Sequence, residues 1–511
     1  MNARPDTVFY NANVLTMDPS HPRASAVACR GEYIAAVGDN SLRSTGTREI
    51  DCQGQTLLPG FHDAHCHFIS LANSLVNLDC SPTTVNSIKD IQALIAARAK
   101  TIPPDEWIVG EGYDDFRLLE KRHPNRRDLD QVSPNHPVRL NHRSRHAVVL
   151  NSKALELAGI SIETPEPPGA LFERSLETGE PTGLMFEMTR YLKRSPPLGE
   201  KRLMAGIKLA GERCLSLGIT SLQDASSSND FAVWRLFGQT KEHGLVGSRV
   251  SMMAGKEALP DLLKRGMATG YGDGDLSLGA VKIVLDRTTG RLFPPREELE
   301  EAVLSAHRAG FQVAIHAIEQ DDIDAALTAI EKALREHPLP DHRHRIEHCS
   351  LCTDPDIRRI QKAGVIVVTQ PDFIYYSGDR YLARVRQDNQ PFLYRINSLL
   401  RGGVAVAAGS DTPVAPNNPM VGVYAAVTRR SKTGQTVLAH EAVTVEQALS
   451  MYTSTAAYSA FEAGWKGDLS PGKLADMVLL DRDPTAFPPE EILNTKVAMT
   501  IIGGKVVWPS P

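Results

Sequence analysis

Pro59-Gly60-Phe61-His62-Asp63-Ala64-His65-Cys66-His67-Phe68 is an extended, apolar-flanked run in which two imidazoles stand two residues apart. Side chains alternate along a strand, so His65 and His67 share one face and supply half of a metal site. Four further potential ligands follow, each where a predicted strand gives out. They are Lys282 in Ala280-Val281-Lys282-Ile283-Val284, His316 in Val313-Ala314-Ile315-His316, His348 in Arg345-Ile346-Glu347-His348, and Asp411 in Ala408-Gly409-Ser410-Asp411. A lone His-x-His is a weak signal. The set His65, His67, Lys282, His316, His348 and Asp411, in this order and each at a strand end, is a strong one.

Working outward from that run, short β-branched stretches alternate with longer amphipathic ones. The strand candidates span 61–67, 219–224, 248–253, 278–285, 311–316, 345–348, 365–369 and 404–408. Helical spacing separates the later ones, as in Arg296 to Ala309 and in Ile323, Ala326, Leu327, Ile330 and Leu334. Eight alternations of strand and helix predict an α/β fold with a (β/α)8, TIM-like barrel. In such a barrel, groups at the carboxyl ends of parallel strands converge at one mouth, which turns a scattered set of residues into a site.

Both ends of the chain read differently. Residues 8–16, 26–28 and 33–38 look like short strands, as do 475–481, 497–502 and 505–508 around the turn Gly503-Gly504. Each group is too small to bury a core alone, so the two are expected to pair into one small β-sandwich. The resulting division is 1–57 and 468–511 for the sandwich and 58–467 for the barrel, with an inserted subdomain at about 70–218 after the first barrel strand. Thr444-Val445-Glu446-Gln447 has the form of a capping box and predicts a helix running through Tyr458.

Composition excludes several classes. Lys plus Arg is 56 and Asp plus Glu is 61, a net charge of −5 without long blocks of one sign, so no nucleic-acid surface is expected. The start, Met1-Asn2-Ala3-Arg4-Pro5-Asp6-Thr7, lacks a secretory pattern, and no run is apolar for long enough to span a bilayer; a soluble, cytoplasmic protein is expected. Seven scattered cysteines argue for reduced thiols, and Cys349-x-x-Cys352 reads as a packed pair. Among the 16 histidines, His142, His307, His342 and His344 read as ordinary hydrogen-bonded residues. Asp224 reads as a helix cap, and Asp321-Asp322 and Arg429-Arg430 as solvated faces.

Neutral imidazoles and a carboxylate suit a catalytic Zn2+ or similar divalent ion that keeps a position open for water. Lys282 is the odd member, because an ammonium repels a cation. It can bridge two ions only as a neutral amine that has taken up carbon dioxide to become an anionic carbamate. Burial and a nearby positive metal both favour that loss of charge.

At this point the sequence resembles the amidohydrolase superfamily of metal-dependent hydrolases, in the large branch that contains N-substituted formamide deformylase. The resemblance rests on Leu57-Leu58-Pro59-Gly60-Phe61, His65-x-His67, Val281-Lys282-Ile283, Ala314-Ile315-His316-Ala317, Arg345-Ile346-Glu347-His348, Gly409-Ser410-Asp411-Thr412-Pro413 and Gly472-Lys473-Leu474-Ala475-Asp476. It implies two Zn2+ per chain, one on His65 and His67 and the other on His316 and His348, with carbamylated Lys282 between them. Asp411 would touch the first ion and the water and serve as the catalytic proton carrier.

The branch is also similar at His146-Ala147-Val148-Val149-Leu150-Asn151-Ser152 and Gly183-Leu184-Met185-Phe186-Glu187, which marks His146 and Glu187 as candidate substrate contacts. Ser144-Arg145 before His146 and Asp286-Arg287-Thr288-Thr289-Gly290 after Lys282 depart from the pattern, and these departures bear on the substrate rather than on the metal centre.

The implied reaction is hydrolysis of a non-peptide C–N bond in a small N-acyl or N-formyl compound. Two alternatives stand beside it: a one-ion deaminase of a ring C=N bond, and a non-catalytic binding or regulatory homologue. Retention of every ligand argues against the latter. Relatives commonly self-associate, so a homo-oligomer is implied as well.

Overall fold

A computed structural model describes residues 5–45, 47–188, 191–192 and 199–509. The stretch Met1 to Arg4, which opens the expected sandwich segment, lies outside the described residues, as do 189–190 and 193–198 within the expected insertion. The chain divides into two compact units: Met1–His67 with Gly211–Val284 and Arg296–Pro511, and Phe68–Ala210 with Leu285–Pro295.

The first unit contains an eight-stranded, all-parallel sheet. Its strands are β1 (Phe61–Cys66), β2 (Ile219–Asp224), β3 (Arg249–Gly255), β4 (Leu276–Val284), β5 (Val313–Ala317), β6 (Arg345–His348), β7 (Ile366–Thr369) and β8 (Val406–Ala408), each beside its sequence neighbour. All eight expected strands are present. Burial is near-continuous: β1, β2, β3, β6, β7 and β8 are buried at every residue, including the polar side chains of β1, β2 and β6.

Beyond the end of β8 the sheet nearly closes on β1. The Asp411 N–H donates to the His65 carbonyl at 2.7 Å and the His67 N–H to the Thr412 carbonyl at 2.9 Å. Gly409 is required there, since a Cβ on it would lie 2.4 Å from the His65 nitrogen.

Helices α1 (Arg296–Arg308), α2 (Gln320–Glu336) and α3 (Asp354–Ala363) follow β4, β5 and β6. In α2 the stripe Ile323, Ala326, Leu327, Ile330 and Ala333 is buried, as its spacing requires. The capping box at Thr444 is formed, but its helix stops at Met451; a second helix, Ser454–Ser459, follows after the break at Tyr452 and Thr453.

The two ends of the chain supply two further sheets. One has four strands from residues 7–51. The other has six, combining 13–15, 23–24 and 56–59 with 477–480, 497–502 and 505–508. The expected strand over 8–16 is broken at Asn11, whose φ of 53° turns the chain. Phe9, Val27, Leu57, Met477 and Ile501 share one buried cluster, so apolar side chains from both ends meet.

The second unit is built on its own six-stranded mixed sheet. Val138–His142 lies between Ile108–Tyr113, to which it is parallel, and Ala147–Leu150, to which it is antiparallel. A core of Ile91, Ile95, Ile108, Leu129, Val138, Leu140 and Val149 holds it together. Among the described residues no helix is long and apolar enough to cross a membrane. All seven cysteines are buried and free of disulfides.

Two surface assignments are corrected. Arg429 is fully buried, its Nε donating to the Val437 carbonyl and one terminal nitrogen to the Leu393 carbonyl. Asp322 is buried too, because it closes the capping box of α2 by accepting the Glu319 N–H. In each case a local backbone partner replaces water, which a count of charges cannot reveal.

Candidate metal centre

The carboxyl ends of β1, β4, β5, β6 and the segment after β8 bring all six expected ligands into one cluster. His67 Nε2 lies 2.9 Å from Asp411 Oδ1, and His65 Nε2 lies 3.6 Å from the same oxygen. Lys282 Nζ is 3.3 Å from His65 Nε2. The rings of His65 and His348 are 4.9 Å apart and those of His316 and His348 4.3 Å apart, which extends the cluster from β1 to β5. Ligand atoms of His65, His67 and Asp411 all lie within 4.8 Å of one another, a spacing one ion can span.

The outer ring nitrogens of His65, His67 and His348 each have a partner. His65 Nδ1–H donates to the Glu347 carboxylate, His67 Nδ1 lies 3.0 Å from Ser226 Oγ, and His348 Nδ1–H donates to Gln370 Oε1 at 2.7 Å. Such outer partners fix the tautomer that leaves Nε2 with a lone pair. Arg345 in turn holds Glu347 through two contacts, 2.7 and 2.9 Å, and reaches the Ala64 carbonyl at 2.9 Å. That reach from β6 to β1 runs through the barrel interior, so the Arg345–Glu347 pair is the floor on which His65 rests.

Electrostatics suit the same use. Burial, helped by the Lys282 charge, lowers the His65 imidazole to about 3, and burial lowers His348 as well; both rings are neutral near pH 7. Burial brings the Lys282 amine down to about 8, so a neutral minority is present at physiological pH. For Asp411, burial would raise the carboxyl, but the His67 hydrogen bond and the neighbouring imidazoles hold it well below the carboxylate range. Burial likewise opposes ionisation of Glu347, and Arg345 and His65 overcome it.

This donor set fits divalent ions: neutral imidazoles, an ionised carboxylate and an amine able to shed its charge. His348 and Asp411 adopt left-handed backbone, φ 69° and 55°. That conformation breaks the alternation of the strand and aims the two side chains into the cluster.

Four supporting residues escaped the sequence reading: Glu347, Gln370, Ser226 and Asp63. Asp63 accepts the Ser410 N–H at 2.9 Å and the Ser410 hydroxyl at 2.6 Å, which ties β1 to the segment carrying Asp411. Burial pushes its carboxyl up to about 6, against those two hydrogen bonds. Its position two residues before His65 was the available signal. Asp224 is a loop organiser, accepting from the Ser226 N–H and the Asn229 side chain at 3.0 and 2.9 Å.

The two candidate substrate contacts lie together in the second unit. His146 Nδ1 is 2.6 Å from Glu187 Oε1, and the Glu187 N–H donates to the His146 carbonyl at 2.8 Å. Glu187 also has a left-handed backbone, φ 55°.

Comparison with known proteins gives this geometry a family. N-substituted formamide deformylase of Arthrobacter pascens is 29% identical, with 98% of this chain and 97% of the relative covered. Protein LONG AFTER FAR-RED 3 of Arabidopsis thaliana is 28% identical over 99% of this chain and 92% of its own length. Among solved structures, an uncharacterized metal-dependent hydrolase from Pyrococcus horikoshii superposes with a TM-score of 0.75 at 25% identity, covering 95% of this chain and 99% of the other. The sequence model of the amidohydrolase family matches residues 48–508, and the chain therefore belongs to the amidohydrolase family of metal-dependent hydrolases.

Proposed function

We propose that this protein hydrolyses a non-peptide C–N bond in a small N-acyl or N-formyl amide. The observation that carries the reading is the approach of Lys282 Nζ to within 3.3 Å of His65 Nε2 inside the six-residue cluster, with burial lowering the amine towards neutrality. A buried amine among imidazoles is suited to carbamate formation and to bridging two ions.

In this reading His65 and His67 would hold one divalent ion and His316 and His348 the other, and Lys282, as a carbamate, would supply an anionic ligand to them. Zn2+ suits the imidazole-rich set. When bound, such ions acidify a water and polarise the substrate carbonyl. Asp411, ionised near neutrality, accepts the water's proton as the C–O bond forms and delivers it to the departing nitrogen as the C–N bond breaks, giving a carboxylate and an amine. Glu347 and Gln370 keep the rings in the tautomer that presents Nε2. His146 and Glu187 contact the substrate, and they account for selectivity rather than for the chemistry.

The same proposal extends to organisation. Segments 1–57 and 468–511 form a small β-sandwich domain joined to the barrel of 58–467, with the insertion at about 70–218 supporting substrate recognition. The protein acts on a small molecule in the cytoplasm, as a homo-oligomer.

The test is release of carboxylate from a panel of N-substituted formamides, N-acetyl amines and N-acyl amino acids by zinc-loaded protein. Turnover of one class, abolished by chelation and restored by Zn2+, is expected. Full turnover after removal of every ion overturns the reading, and ammonia release from ring C=N compounds without carboxylate release favours deamination.

A further inference from the structure

The second compact unit carries a cluster of metal-ligating side chains with no part in the reaction above. Parallel neighbours Ile108–Tyr113 and Val138–His142 end side by side, with Tyr113 opposite His142 in register. Asp114 and Asp115 follow the first strand and His142 closes the second. Their ligand atoms all lie within 4.8 Å of one another.

We propose that Asp114, Asp115 and His142, joined by His123, form a second metal site, for a divalent transition ion of the Zn2+ kind. The local geometry repeats that of the barrel cluster. His142 Nε2 lies 3.1 Å from Asp115 Oδ1 while its Nδ1 lies 2.8 Å from Ser144 Oγ. His67 Nε2 lies 2.9 Å from Asp411 Oδ1 while its Nδ1 lies 3.0 Å from Ser226 Oγ. The Ser144 N–H donates to His142 Nδ1 at 3.2 Å, so an ion on Nε2 would require the other tautomer, with Nδ1–H donating to the Ser144 hydroxyl.

His123 follows the same rule, with Nδ1 3.0 Å from Tyr113 Oη and Nε2 3.9 Å from Asp115 Oδ2. Two imidazoles thus turn Nε2 towards one carboxylate, with a hydroxyl within hydrogen-bond distance of each Nδ1.

Charge and packing agree with this. The side chains of Asp114 and Asp115 are only 5% and 13% exposed. Arg143 lies 3.7 Å from Asp114, and the Phe116 N–H donates to Asp114 Oδ1 at 3.0 Å. Tyr113, His123, His142 and Phe186 pack edge to face, with centroids 5.1 to 5.9 Å apart, and form an apolar wall beside the carboxylates. Two imidazole nitrogens and two carboxylates make a donor set for Zn2+ or Mn2+ rather than for Ca2+. Asp114, Asp115 and His142 stand at the ends of paired strands, where the backbone is fixed by the sheet, and His123 reaches them from the loop that follows.

The test uses the full-length protein with Zn2+ itself as the probe. Diffraction data collected on both sides of the zinc absorption edge are expected to show an anomalous peak between Asp115 and His142. By equilibrium dialysis, Asp115→Asn and His142→Ala are each expected to bind about one Zn2+ fewer per chain than the wild type. A wild-type map without that peak overturns the proposal even if the variants fail to fold, and so does unchanged stoichiometry in folded variants. The barrel cluster gives its own peak, so failure here is distinguishable from failure of the proposed hydrolytic centre.

Discussion

Left-handed backbone at His348 and Asp411 is held at a cost of about 1–3 kcal/mol each, and such strain persists where surrounding structure over-determines it. Here the surroundings are the Gln370 contact to His348 and the backbone bond from Asp411 to His65. Because Asp411 is assigned the proton transfer, Asp411→Asn is expected to lower kcat by about 10²–10⁴-fold while most of the metal is retained. Steady-state kinetics with metal analysis on the same sample check this. Lys282→Ala removes the anionic bridge, so activity is expected to vanish and to return in part when a small carboxylic acid such as propionate is supplied with Zn2+. No recovery at any concentration counts against a carbamate. Glu347→Gln keeps the shape but weakens the grip on His65 Nδ1, and a loss of about 10–100-fold in metal affinity or activity is expected.

At the scale of elements, β5 and β6 begin on a histidine relay in which every ring nitrogen has a defined role. His344 Nδ1 accepts the Val313 N–H at 3.1 Å, His344 Nε2–H donates to His307 Nδ1 at 2.9 Å, and His307 Nε2–H donates to the His337 carbonyl at 2.7 Å. His342 Nδ1 accepts the His344 N–H at 2.8 Å, and its Nε2–H donates to the Ala363 carbonyl at the same distance. Asp341 is the one carboxylate acting on His342, and its pull is smaller than the effect of burial.

Burial lowers His342 and His344, so the folded rings resist protons that the unfolded chain accepts. Their contribution to stability is complete above about pH 6.5 and is lost as pH falls below it. Thermal unfolding should therefore shift downward between pH 7 and 5, and His344→Gln should make that slope shallower even though it lowers stability at pH 7.

His307, His342 and His344 looked ordinary in the sequence because a relay is made by tertiary neighbours, not by spacing. The barrel strands were legible for the opposite reason: they are short buried runs that alternate with helical spacing, and five of the eight lead to a candidate ligand. Glu347 was hidden because alternation puts it on the face opposite His348, and only the left-handed turn at His348 lets both serve one site.

Across the whole molecule, ligands 346 residues apart in sequence, from His65 to Asp411, meet where the last strand of the barrel nearly closes on the first. The inserted unit was legible only as an interval too long for a βα connection. Its mixed sheet includes a strand as short as Leu78–Asp79, and pairings of that kind depend on partners far along the chain.

Ions bound to ligands on β1, β4, β5 and β6 bind the closed barrel and not the unfolded chain, so they stabilise it by about 2.7 kcal/mol at a free concentration 100-fold above Kd. For a unit of this size that corresponds to a fall of about 5 °C in Tm on chelation, reversed by Zn2+ in a concentration-dependent way. Gly409→Ala acts on the same seam from the protein side: its Cβ would meet the backbone of His65, and opening the seam should lower Tm in the absence of metal and also shrink the gain from Zn2+. Calorimetry of wild type, Gly409→Ala and Asp115→Asn, each with and without chelator, separates the contributions. A metal-dependent shift that survives in Asp115→Asn but is reduced in Gly409→Ala belongs to the barrel mouth, whereas an undiminished shift in Gly409→Ala would mean that closure of the barrel and ion binding are not coupled.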